Sequence, residues 1–195
     1  MNTFILSLDP NEAARFHCNK HVVKMILESA QMLCAAHWIH LLKSHNKTVN
    51  DFKRIRDAQQ WAYEHTEKEL QPPWKMSHLR HPCTIWTAEN ISNYKWQLSL
   101  CQALLAEYFI RYQRNHKTEH EAKWLAKNMP VGISNSYLSD FPVCMKDEYK
   151  VADEHGIINI VESYRNYYIK DKVRFAKWEP RASMPMWFKK GIKNE

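Results

Sequence analysis

Residues 9–42 read DPNEAARFHCNKHVVKMILESAQMLCAAHWIHLL, and the fold follows from how this stretch is patterned. Asp9-Pro10-Asn11-Glu12 is a helix start, with Asp as N-cap, Pro at the first helical position and Glu placed to close a capping box. The spacing predicts a helix running to about Leu42, interrupted near Asn19. His17, His21, Lys24, Glu28 and Gln31 follow at intervals of 4, 3, 4 and 3, so they share one line along it. Val22, Val23, Met25, Ile26, Leu27, Ala30, Met32 and Leu33 fill most of the remaining circumference. A surface helix carries a wide polar face and a narrower apolar stripe; here the proportions are reversed. Such a helix is buried, and its line of ionisable groups must either border a wet cleft or be closed by ion pairs, because unpaired buried charge is costly.

Outward from this stretch the pattern stays helical. A second helix is expected from about Asp51 to Leu70, ending at Gln71-Pro72-Pro73, and a third from His81-Pro82 to about Tyr112. Thr118 and Glu121 start a short fourth, and a loop through Pro130 and Pro142 leads to a helix from about Ile157 to Lys170. Thr3–Leu8 could form one short strand; no repeats or low-complexity tracts occur. The expectation is an all-α protein, residues 1–195 forming a single compact helical domain with a long central helix. An aromatic and basic tail, 172–195, packs on it.

Composition narrows the function. Three glycines among 195 residues leave no phosphate loop, dinucleotide fingerprint or nucleophile elbow. The five cysteines are scattered, with no CxxC pair, and read as buried free thiols in a reducing compartment. The opening MNTFILSLDP lacks a signal-peptide pattern, and no apolar run is long enough to span a bilayer, so a cytoplasmic protein with no membrane partner is expected. The net charge is +7, and eight Lys/Arg against three Asp/Glu fall between Lys170 and Glu195. Together with eight tryptophans this points to nucleic acid, DNA or RNA, as the partner.

Metal binding finds little support in the spacing. His17 and His21 stand i, i+4, but Lys20 and Lys24 would repel a cation; His37/His40 and His78/His81 lack a third ligand. His81-Pro82-Cys83 resembles half of a zinc-deaminase signature, yet residue 86 is Trp and no HxE precedes it. Neither a metal nor another cofactor is expected. Arg80 and His81 remain as a cluster at a helix N-terminus, suited either to a phosphate oxygen or to a purely structural start. Aromatic and basic residues interleave in Trp74-Lys75, Arg111-Tyr112-Gln113-Arg114, Tyr164-Arg165-Asn166-Tyr167-Tyr168 and Trp187-Phe188-Lys189-Lys190, where rings could stack bases while cations hold phosphates.

The blocks NKHVVKMILESAQML, HPCTIW, FAKW and MPMWF resemble a recurrent, functionally obscure family of tailed-phage proteins across most of the chain. More distantly, the order of elements resembles the phage pyrimidine-dimer DNA glycosylases of the endonuclease V family. The resembling stretches are Lys20-His21-Val22-Val23-Lys24, then His81 to Trp86 with Glu107 far along the helix, and Pro185-Met186-Trp187-Phe188-Lys189. That resemblance implies a small basic helical enzyme in which the α-amine behind the initiator attacks the sugar, helped by a carboxylate between two basic residues. The chain departs from it. Asn2 disfavours methionine removal, and the carboxylate position is His21, leaving Glu28 as the nearest acid on that face.

The leading expectation is therefore a phage-type enzyme acting on a flipped-out nucleotide, most simply a DNA glycosylase, with or without lyase activity. In this reading Glu28 stabilises charge or activates a nucleophile, and His17 and His21 move protons or hold phosphate. Lys24, desolvated by Met25 and Leu27, forms a Schiff base. Lys20, Arg80, His81, Arg111, Arg165, Trp187, Lys189 and Lys190 would hold nucleic acid. The alternatives are a base-hypermodifying transferase and a non-enzymatic nucleic-acid-binding accessory or anti-defence protein.

Overall fold

In the computed structural model, which describes residues 1–193, eight α-helices form and no strand is present among the described residues. They are α1 (Pro10–Phe16), α2 (Asn19–Ser44), α3 (Ile55–His65), α4 (Pro82–Glu89), α5 (Ile91–Tyr112), α6 (Glu119–Lys127), α7 (Ile160–Tyr167) and α8 (Met186–Gly191). The all-α expectation holds. Helix α2 is the axis of the fold, with α4 and α5 packed along it, α1 against α5, and α6 closing the far side. Its apolar residues enter three clusters in turn. Val22, Met25 and Ile26 meet Phe4, Tyr164 and Trp178; Ala30, Leu33 and Cys34 meet Tyr94 and Leu98; Trp38, Leu41 and Leu42 meet α3 and Leu79.

The break expected near Asn19 falls at His17 and Cys18, both in extended conformation. A helix end exposes carbonyls that need donors. Here they come from distant residues. The Arg111 guanidinium donates to the carbonyls of His17 (2.8 Å) and Arg15 (3.1 Å), and the Trp178 indole donates to that of Phe16 (3.1 Å). Arg111 is also paired with Glu107 at 2.8 Å, with its side chain only 2% exposed. At the start of α1, Asp9 caps Glu12 N–H as expected (2.7 Å). The Glu12 carboxylate, however, takes the Ser7 hydroxyl (2.6 Å), which in turn accepts from Asp9 N–H, so the capping box closes through Ser7.

Four other expectations change. The helix read from His81 to Tyr112 is two, because Asn90 takes an extended backbone and its side chain caps Ser92 and Asn93 N–H. The helix read from 51 to 70 contracts to α3 with short 3₁₀ turns on either side, and the tail contains a helix, α8, that its prolines concealed. Thr3–Leu8 finds no strand partner. It threads through the core with Phe4, Ile5 and Leu6 buried, and its carbonyls are served by side chains: Arg165 on Leu6 (3.1 Å) and Trp96 on Leu8 (2.8 Å).

Arg111→Met removes the donor from the buried His17 carbonyl and the part-buried Arg15 carbonyl and leaves Glu107 unpaired. The expected loss is about 3–5 kcal/mol in denaturant unfolding, with part recovered when Glu107 is also made Met. Unchanged stability would mean that water replaces the guanidinium.

Candidate functional site

The polar line of the first long helix divides. His17 and His21 face inward. His17 has no exposed surface, its Nδ1 is bonded to Ala13 O (2.7 Å), and its Nε2 has no partner. His21 stacks on Phe4 (4.6 Å), packs edge-on against Phe175 and hydrogen-bonds the Tyr168 hydroxyl. Burial lowers His17 to about 4 and His21 to about 3, the latter helped by repulsion from neighbouring His17 and lysines. Both rings are buried and held in the neutral form, which disfavours the expectation that they hold a phosphate.

Glu28 and Lys24 lie elsewhere, at the rim. Glu28 is 7% exposed and gathers three nitrogens: Lys24 Nζ at 3.1 Å from Oε1, and at Oε2 the Asn2 N–H (3.0 Å) and the Met1 α-ammonium (3.8 Å). Lys24 itself is 63% exposed, because Met25 turns into the core and Leu27 to solvent, so neither desolvates its amine as expected. Beside Glu28 stands His81, half-buried at the N-cap of α4, its Nδ1 accepting from Cys83 N–H (3.2 Å). Burial first, then the Met1 ammonium, lower its pKa, while the Glu28 charge opposes them.

From Lys24 the surface opens into a groove of about 680 Å³ between α2 and the α5–α6 connection, bordered by Arg114, His116 and Lys117. Across Val23 a second hollow of about 610 Å³ is bordered by Lys20, Tyr112, Arg174, Phe175 and Lys177, with Glu179 its single acid. Lys20 and Arg174 both lie over the Phe175 ring, at 5.0 and 5.4 Å. The two hollows make one basic band along the exposed edge of α2, defined by Lys20, Val23, Lys24 and Leu27.

The other expected contacts scatter. Arg111 is the buried clamp already described. Arg165 is partly exposed; it donates to Leu6 O and Glu162 and lies over Phe16 and Trp187, so its guanidinium is already engaged by the protein. Trp187, partly buried, packs edge-on against Phe16, Tyr168 and Phe188 beneath the Arg165 guanidinium, with its N–H buried. Tyr164 and Tyr168 are fully buried. Arg80 is exposed and reaches Asn50 (3.2 Å), and Lys189 and Lys190 are exposed on α8 and line neither hollow. Sequence reasoning missed Lys117, Arg174 and Lys177, which join Lys20 only through folding, and missed Met1 and Asn2 as partners of Glu28. The interleaved Arg111-Tyr112-Gln113-Arg114 was a usable signal, but its first residue points inward and its last outward.

His17, His21 and also His37 (lowered to about 3 by burial) bind a proton far more readily unfolded than folded. Stability is therefore complete above the ordinary histidine value and falls as pH drops from about 6.5 toward 4, each ring costing about 2 kcal/mol at about pH 5. Thermal melting from neutral to acid pH should show this fall, and His21→Asn should flatten it by about one proton. A melting temperature constant down to pH about 5 would exclude neutral burial.

The chain matches no known family model, no curated protein and no solved structure.

Proposed function

We propose that this chain is a phage-type DNA enzyme that extrudes a nucleotide and acts at its N-glycosidic bond through an amine nucleophile. The observation that carries the reading is Glu28, a nearly buried carboxylate with two primary amines on it, Lys24 Nζ and the Met1 α-amine. Glycosidic cleavage by an amine needs that pairing. The carboxylate accepts the proton that must leave the amine and stabilises positive charge growing on the sugar, while the amine forms the bond to C1′ as the base departs. Ring opening then gives an imine, from which the 3′ phosphate can be eliminated. The basic band supports the reading as a track for the DNA backbone, with Tyr112 and Phe175 as rings beside it.

Borohydride reduction during incubation with abasic or base-modified DNA should trap a covalent adduct. Peptide mapping then identifies the nucleophile. An adduct on residue 24 that vanishes in Lys24→Ala assigns the side-chain amine, whereas one on the peptide containing Met1 assigns the α-amine. Glu28→Gln should lower the rate by orders of magnitude with a small change in melting temperature. A sharp drop in melting temperature, with activity tracking the folded fraction, would make Glu28 a structural tether for residues 1 and 2. Absence of any adduct would favour a base-modifying transferase or a plain binder.

The footprint is separable from the chemistry. In a salt series, Lys20→Ala/Lys177→Ala should weaken DNA binding and flatten the slope of log affinity against log salt by about two, whereas Lys189→Ala/Lys190→Ala should leave it. The reverse result would place the footprint on α8.

A further inference from the structure

Three soft or borderline metal ligands converge at the start of α4. His81 is the N-cap, Cys83 is the second residue of the helix, and Cys144 arrives from the long segment between α6 and α7. One ligand atom from each lies within 4.8 Å of the others, and the two sulfurs are 3.5 Å apart. A disulfide would need about 2.05 Å. Two thiolates on a tetrahedral zinc, each about 2.3 Å from the ion, stand about 3.8 Å apart. The observed 3.5 Å is too long for a disulfide and close to the separation of two thiolates sharing one ion.

We propose that His81, Cys83 and Cys144 bind one thiophilic divalent cation, zinc foremost. The third ligand that Trp86 denies to the local HPC motif is supplied by Cys144, 61 residues further along the chain. The site is built to hold its ligands still. Cys144 N–H donates to the Tyr164 hydroxyl (3.3 Å), and its carbonyl accepts from Asn2 Nδ2 (2.9 Å). The Tyr164 hydroxyl also lies 3.0 Å from Asn2 Oδ1, which sits 3.8 Å from Cys83 Sγ. Such outer partners orient metal ligands. The Cys83 thiol donates to the Cys144 sulfur across that 3.5 Å separation. A cation entering here displaces one proton from each thiol and places two thiolates at a helix N-terminus, where negative charge is favoured. Cys83 is buried while His81 and Cys144 are half-exposed, so the ion has a way in. Three protein ligands would leave a fourth position open to water.

This inference stands apart from the glycosylase reading, and its test is metal binding, not activity. The reduced, chelator-stripped full chain is titrated with Zn²⁺, and with Co²⁺ as a spectroscopic probe. The expected result is one equivalent bound, protection of Cys83 and Cys144 from a thiol reagent, thiolate-to-cobalt charge-transfer absorption, and a melting temperature that rises with Zn²⁺. Cys144→Ser should lose at least about tenfold in affinity and much of the charge-transfer band, and His81→Ala should weaken binding while keeping that band. Circular dichroism verifies that both variants fold. The proposal is overturned if the cobalt spectrum is indifferent to Cys144→Ser, or if the reduced chain takes up no metal. It is equally overturned if Cys83 and Cys144 close to a disulfide in air while the reduced form ignores Zn²⁺.

Discussion

Burial of α2 along its length is the constraint on which the rest depends. A helix of 26 residues with apolar side chains around most of its surface has to be covered on nearly every side, and one neighbour cannot do that. The coverage is supplied in sequence by the N-terminal segment and α7, then α5 and α6, then α3, giving three contiguous clusters along one rod. Its narrow exposed edge, Lys20, Val23, Lys24 and Leu27, is what coverage leaves over, and the basic band lies along it.

Covering such a helix also determines where polar groups can survive. The break between α1 and α2 leaves carbonyls in a dry place, and the donors that reach them, Arg111 and Trp178, come from the far end of α5 and from the tail. Arg165 serves the extended N-terminal segment in the same way. Cations that composition assigns to a phosphate surface are thereby drawn inside, because a buried carbonyl without a donor costs more than a surface charge gains. The surface charge that remains is contributed by residues whose neighbours are distant in the chain.

The neighbourhood of Glu28 brings together four separate pieces of chain: residues 1 and 2, the middle of α2, the start of α4 and the segment around Cys144. Such a meeting of an acid, two amines, an imidazole and two thiols is chemically dense for a protein of this size. Several of its buried polar atoms are linked to one another, as the contacts of Asn2 with Glu28, Cys144 and Tyr164 illustrate.

The helical class, the helix start at Asp9-Pro10, the interruption before Asn19 and the Pro82 start of α4 were all legible in the sequence, because local backbone chemistry and apolar period act within a few residues. The division at Asn90 was legible in principle, since Asn is a good cap, but the apolar pattern runs straight through it. What the sequence could not decide was which members of the 17-21-24-28 line face inward. Helical spacing places residues on one face, but the break after Phe16 rotates His17 relative to α2, and the packing of Phe4 and Tyr168 makes His21 core while Glu28 stays at the rim. Nor could it bring Cys144 to Cys83 or residue 1 to Glu28. Those pairings are closed by tertiary contacts across tens of residues, and a linear pattern carries no term for what arrives from the rest of the chain.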